Sequence, residues 1–232
     1  MNICTILASG SGTRMKNATN ALPKQFVEIG GKPLLCYTLE TVVESGLFDR
    51  IYLGLSKEFV ELGKGIIAKH FGEDKIAIVE GGDARMKTFF NIFAKLKEDV
   101  GAFTEDDYIC LTDANRPLIT KELYASCMRG AARYGICCPA RPVVDGVCVV
   151  KAKTIREIPE KNSMYSFQTP ECFRVTDFVE ICPNYEALGK CLGITEVFSA
   201  AGMSPHVIES DDRSFKITTP IDLEILKAYL EM

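Results

Sequence analysis

The chain has 232 residues, 47% hydrophobic and 25% charged, ample for one sizeable core. A formal net charge of -4 speaks against a nucleic-acid or membrane-surface role, because both need a basic excess; an anionic ligand has to be held by local cations. Ten scattered cysteines without a CxxC pair or a signal peptide, two distant histidines (His70, His206) and no apolar run of bilayer length imply reduced core thiols in a cytoplasmic protein without a zinc site.

An apolar strand ending at Ile6-Leu7-Ala8 runs into Ser9-Gly10-Ser11-Gly12-Thr13-Arg14-Met15, a loop of small residues whose N–H groups can close round an anion. Arg14 and Lys24 follow within reach, which outlines a polyphosphate site. Met15 stands where a dinucleotide fingerprint needs its third glycine, and no Gly-Lys-Ser/Thr follows, so an NAD-type oxidoreductase and a Walker loop are both poor readings.

Pro33 suits the first turn of a helix whose inner face carries Leu34, Leu35, Thr38, Leu39 and Val42 and which Gly46 ends. A strand over 50–55, a helix over 58–70 and a strand over 75–80 lead to Gly81-Gly82-Asp83-Ala84-Arg85. A helix over 86–96 precedes the short buried strand 108–111, which delivers Thr112-Asp113-Ala114-Asn115-Arg116-Pro117 at its C-terminal end. After a helix over 120–134 the texture changes. Residues 136–150, broken by Pro139, Pro142 and Gly146, read as short strands leaving the main sheet as an arm, and 155–169 leads back. Helices are expected over 176–188 and 195–201, the latter capped by Thr195, then a strand at 206–208 and a helix to Leu230 opened by Thr219-Pro220-Ile221-Asp222. The alternation implies an α/β fold with a mostly parallel sheet covered on both faces, and the polar loops after the first, third and fourth strands should converge at its carboxyl end.

Five motifs in chain order resemble one family: Ala8-x-Gly10-x-Gly12-Thr13-Arg14-Met15 with Pro23-Lys24-Gln25-Phe26; Gly81-Gly82-Asp83-x-Arg85; Asp113-Ala114-x-Arg116-Pro117; Met164-Tyr165-x-x-Gln168-Thr169-Pro170; and Lys216-Ile217-Thr218-Thr219-Pro220-x-Asp222-Leu223. They look like the cytidylyltransferases that act on methylerythritol phosphate and ribitol 5-phosphate. The resemblance covers nearly the whole chain. It implies a single Rossmann-like, three-layer nucleotidyltransferase domain over 1–232, with a protruding β-arm at about 138–165 that builds a homodimer and reaches the neighbour's active site.

The same resemblance implies CTP as co-substrate and Mg²⁺ as cofactor. Ala8, Ser9, Gly10, Ser11, Gly12 and Thr13 would cradle the β- and γ-phosphates, with Arg14 and Lys24 on phosphate oxygens; Gly82, Asp83 and Thr88 would contact the base, with Arg85 bracing their loop. Lys216 would neutralise the α-phosphate and the incoming phosphate. Asp113 would hold Mg²⁺, for a buried carboxylate is costly unless paired or metal-bound, and Asp212 (or Asp211) would supply a second oxygen. An alternative for Asp113 is a helix cap or a partner for Arg116.

Departures from the methylerythritol-phosphate pattern fall at the acceptor. Asp145 is followed by Gly146 where that branch has an Asp-Thr pair, Lys161 replaces a phosphate-holding arginine, and Thr112 and Asn115 stand in unusual places. The run Ile158-Pro159-Glu160-Lys161-x-x-Met164-Tyr165 looks more like the ribitol-5-phosphate branch, as in cell-wall or capsule polymer synthesis. Asp145, Lys161 and Lys216 are accordingly the expected acceptor contacts. The alternatives are the methylerythritol-phosphate enzyme of isoprenoid synthesis and an inactive CTP-binding sensor.

Overall fold

Four strands run in parallel, β1 (Asn2–Ala8), β4 (Arg50–Leu55), β5 (Ala77–Glu80) and β6 (Tyr108–Asp113), in the order β5-β4-β1-β6; β1, β4 and β6 are apolar runs buried on both faces, and β5 forms the more exposed edge. The structure, a computed structural model, describes residues 1–10, 22–183, 191 and 193–231. Two-residue strands β2 (Glu28–Ile29) and β3 (Lys32–Pro33) pair antiparallel beside this sheet. Beyond β6 the sheet adds β11 (Glu171–Arg174), which runs antiparallel, and then β7 (Ile136–Pro142) and β12 (His206–Glu209), parallel to one another. The chain thus moves from β1 to β4 on one side and later to β6 on the other, so a crevice opens at the carboxyl ends near β1.

Side-chain alternation assigns the layers. Cys4, Ile6 and Ala8 of β1 face α1 (Leu34–Glu44), α2 (Val60–Phe71) and α4 (Lys121–Tyr134), packing with Leu35, Leu39, Ile67, Tyr124 and Cys127. Ile3 faces the other side, where α3 (Arg85–Val100), α5 (Val175–Ile181) and α6 (Ile194–Ala200) bring Phe89, Phe93, Phe178 and Phe198 against Phe173. The rings of Phe89 and Phe93 meet Phe178 edge-on, with centroids 5.4 and 5.1 Å apart. The α7 helix (Pro220–Leu230) closes a third cluster through Leu223, Leu226 and Ile217; its start is a capping box between Thr219 and Asp222, with Pro220 in the first turn as expected.

Four expectations need correction. Residues 136–142 do not leave the sheet: β7 is flanked by β11 and β10 (Tyr165–Phe167) on one side and β12 on the other, and Cys138–Ala140 are buried. Pro139 lacks only an N–H, and its carbonyl still accepts from Gln168 N at 2.8 Å. Pro33 caps α1 rather than entering it, and α6 is capped by Gly193, which puts Thr195 inside the first turn. The helix expected to Leu188 stops at Ile181, before Pro183; residues 184–188 lie outside the described residues.

The protruding segment begins after Pro142. It contains the hairpin β8 (Val149–Lys151) and β9 (Thr154–Glu157), whose two-residue tip holds Ala152 and Lys153 at φ of 50° and 61°. Its apolar side chains stay in solvent: Val144 and Ile158 are 77% and 75% exposed.

Candidate active site

The loops after β1, β4, β5 and β6 surround one cavity of about 670 Å³. Its walls include Ala8, Ser9 and Gly10 from the first loop, Lys24 and Gln25, the stretch 81–85, Asp113 to Asn115, and Lys216 with Thr218. The expected convergence of polar loops is therefore met.

Two glycines let the walls approach. A Cβ on Gly81 would stand 2.7 Å from Ser9 Cβ, and one on Gly82 would stand 3.2 Å from the backbone carbon of Lys87. Thr88, fully buried in the first turns of α3, ties the loops together: its Oγ1 lies 2.5 Å from Ser9 Oγ and accepts from Gly82 N at 3.1 Å. Thr88 accordingly stands behind the wall and does not line the cavity, whereas Gly82 and the exposed Asp83 do. Gln25, 3% exposed, donates from Nε2 to Ala8 O at 2.6 Å and to Gly10 O at 3.1 Å, fixing the exit of β1.

The charges centre on Asp113, at the end of β6. Lys216 Nζ donates to its Oδ2 at 2.7 Å, Arg85 Nε to its Oδ1 at 3.3 Å, and Arg116 Nε lies 3.9 Å from Oδ2. Burial pushes the Asp113 carboxyl up, but Arg85 and Lys216 outweigh it and hold the group down at about 2, so it is ionised at neutral pH. Arg116 does pair with Asp113, as the alternative reading had it, and also donates to Ser214 O at 2.5 Å. Lys24 Nζ donates to Ile217 O at 2.6 Å, the carbonyl that Asn115 Nδ2 also reaches at 3.0 Å, so Lys24 and the segment carrying Lys216 are joined at one wall.

Other expected residues are not brought to this cavity. Asp145 and Lys161 are exposed on the protruding segment, and Asp212 is 79% exposed in its side chain and pairs with Arg141 outside it. Asp211 instead receives Arg213 Nε at 2.7 Å. Ser11, Gly12, Thr13 and Arg14 lie outside the described residues. Among the described residues no group of three or more His, Cys, Asp or Glu side chains is placed to hold a metal.

Residues 3–232 match the family described as IspD, 2-C-methyl-D-erythritol 4-phosphate cytidylyltransferase. The chain belongs to the IspD family. It is thus a cytidylyltransferase, and a nucleotidyltransferase enzyme. It is 28% identical over 231 residues, 97% of each chain, to a ribitol-5-phosphate cytidylyltransferase of Lactiplantibacillus plantarum. Its fold is that of a 4-diphosphocytidyl-2C-methyl-D-erythritol synthase from Anaerococcus prevotii, with a TM-score of 0.82, 23% identity and coverage of 100% and 99% of the two chains. A 2-C-methyl-D-erythritol 4-phosphate cytidylyltransferase from Thermus thermophilus gives 0.76 at 22% identity, covering both chains fully.

Behind the wall of this IspD-family cavity stands a side chain that sequence reasoning missed, Glu171, at the start of β11. It is 2% exposed, and its Oε2 accepts from Ile194 N at 3.0 Å and from Arg85 Nη1 and Nη2 at 3.4 Å. The available signal was a lone acid heading the apolar run Glu171-Cys172-Phe173, which by itself does not distinguish a site residue from a strand-end charge. Ser56, Lys57 and Glu58, after β4, also line the cavity and carry no motif.

Proposed function

We propose that this enzyme transfers CMP from CTP to D-ribitol 5-phosphate, giving CDP-ribitol and pyrophosphate. The observation that carries the acceptor is the full-length likeness to the Lactiplantibacillus plantarum ribitol-5-phosphate enzyme; Lys161 and the Asp145-Gly146 pair, where the sequence departs from the methylerythritol-phosphate pattern, agree with it. The family description favours a second reading, in which the acceptor is 2-C-methyl-D-erythritol 4-phosphate.

An acceptor phosphate oxygen attacks the α-phosphorus of CTP, the bond from that phosphorus to the bridging oxygen breaks, and pyrophosphate leaves with the electron pair. The nucleophile is already anionic, so no protein base has to remove a proton. What the chain must do is align the two phosphates and neutralise oxygens that gain charge. Ala8 to Gly10 would meet the β- and γ-phosphates, a role the resemblance extends to Ser11, Gly12 and Thr13; Lys24, with Arg14 by the same resemblance, would supply positive charge there, and Lys216 would meet the α-phosphate and the incoming one. Gly81 and Gly82 leave room for a flat base, with Asp83 at the rim able to accept from the amino group that distinguishes cytosine from uracil.

Mg²⁺ fits these residues only in partnership with the nucleotide. Asp113 offers one ionised carboxylate on the cavity wall, and Mg²⁺ is commonly held by about one or two carboxylates plus substrate phosphates. Bound there, it would neutralise phosphate charge. Asp212 would have to release Arg141 to join it.

The arm joins two copies. Val144, Val150, Ile155 and Ile158 are 77%, 56%, 56% and 75% exposed, and an isolated hairpin has no means of burying such a face. Asp145 and Lys161 then act in the partner subunit's cavity.

The test is pyrophosphate release from CTP at saturating Mg²⁺ with each acceptor. A kcat/KM at least about tenfold higher for ribitol 5-phosphate is expected, a discrimination that a few polar contacts supply. The reverse preference would give the acceptor to methylerythritol phosphate, and CTP binding without turnover on either would leave a sensor.

A further inference from the structure

The Arg85 guanidinium is bracketed by two carboxylates from neighbouring strands. Its Nε faces Asp113 at 3.3 Å, while both Nη atoms face Glu171 at 3.4 Å. Glu171 is itself held on the far side by Ile194 N at 3.0 Å. Space for the pair comes from Gly193: a Cβ there would stand 2.6 Å from Glu171 Oε1 and 3.1 Å from Arg85 Nη1. A carboxylate buried to 2% exposure is costly, yet it does not face the cavity.

We infer that Glu171 is a positioning residue: by holding the Arg85 fork it presents only Nε to Asp113 and leaves Asp113 Oδ2 to Lys216. The inference rests on the cytidylyltransferase reading for its kinetic consequence. A guanidinium prefers to engage a carboxylate through two parallel N–H groups. Without Glu171, the fork loses the carboxylate that both Nη atoms face and can turn toward Asp113, where it competes with Lys216 at Oδ2. The carboxylate and ammonium that face the nucleotide phosphates would then be displaced together, although neither was altered.

The experiment uses the full chain with Glu171→Gln, which keeps an oxygen for Ile194 N and weakens the hold on Arg85 by removing the charge. The Arg85 Nε–H resonance, assigned by its loss in Arg85→Gln, is expected to shift in Glu171→Gln. Turnover with the preferred acceptor is expected to fall by about 10- to 100-fold, as misplacement of a phosphate-binding group does, with KM for CTP moving less than about threefold. Added to Arg85→Gln, the same change should alter kcat by less than about twofold, because the two residues act as one unit. An unchanged Arg85 resonance, unaltered kcat, or losses that multiply in the double variant would each overturn the inference. If the unaltered enzyme turns over no acceptor, the functional reading fails, and the resonance alone still decides the role of Glu171. Should Glu171→Gln not fold, Gly193→Ala presses on the same pair from the other side and is expected to shift the same resonance.

Discussion

At the scale of single residues, Asp113 couples the site to stability. Its carboxyl titrates at about 2, below the 3.8 of an unperturbed aspartate, so the stabilisation is fully present above about pH 4 and is lost as pH falls through 2. The shift corresponds to roughly 2 kcal/mol. Glu171 acts in the opposite sense, since burial raises its carboxyl despite Arg85, and protonation relieves that cost as the solution is acidified. Asp113→Asn should therefore flatten the stability profile between pH 4 and 2. At neutral pH it should lose about 3 kcal/mol, because Arg85, Arg116 and Lys216 then face one another without their shared anion. Urea unfolding across that range checks both. The same substitution should lower kcat by at least about 100-fold, measured as pyrophosphate release.

At the scale of elements, helix α4 rests on β7 through a glycine. A Cβ on Gly130 would stand 2.6 Å from Cys137 Sγ and 3.0 Å from Cys137 Cβ, so Gly130→Ala must push helix and strand apart, at about 1–3 kcal/mol. Removing the sulfur relieves the clash; Gly130→Ala combined with Cys137→Ala should be less destabilised than the two single losses added together, and additive urea midpoints would count against this packing. Such contacts were not legible beforehand. The ten cysteines looked scattered, but the sheet register sets Cys4, Cys110, Cys172 and Cys137 side by side on four neighbouring strands. Strands β1, β4 and β6 were readable because doubly buried strands are written as continuous apolar runs. Residues 136–142 misled because a proline counts as a breaker, though only its missing N–H matters. The hairpin tip gave no signal either: Ala152 and Lys153 occupy left-handed backbone that glycine or asparagine normally announces. Ala152→Asn with Lys153→Gly should consequently raise the melting temperature by a few degrees, provided the hairpin unfolds with the rest of the chain.

At the scale of the whole molecule, the convergence of Ala8 to Gly10, Gly82, Lys24, Asp113 and Lys216 on one cavity was legible, and the placement of Asp145 and Lys161 was not. Gly82 and Asp113 lie at the carboxyl ends of parallel strands of one sheet, and Lys24 and Lys216 are brought to the same cavity by the wall that Lys24 shares with Ile217 O. Asp145 and Lys161 sit on a segment whose position depends on what it packs against, and within one chain nothing carries them to the cavity. The proposed second copy would account for both this separation and the bare apolar face. Val144→Asp with Ile158→Asp places two charges on that face, at side chains 77% and 75% exposed in the single chain, where folding should hardly notice them. Sedimentation velocity should show the unaltered chain as a dimer at micromolar concentration and the double variant as a monomer. CTP affinity should stay within about threefold, because the loops proposed to face the nucleotide belong to one chain, whereas kcat with the acceptor should drop at least about tenfold if Lys161 is withdrawn from the acceptor phosphate proposed for it. A monomeric unaltered chain with full activity would remove the arm from the acceptor site and require the acceptor phosphate to be held by Lys216 and Arg116 alone.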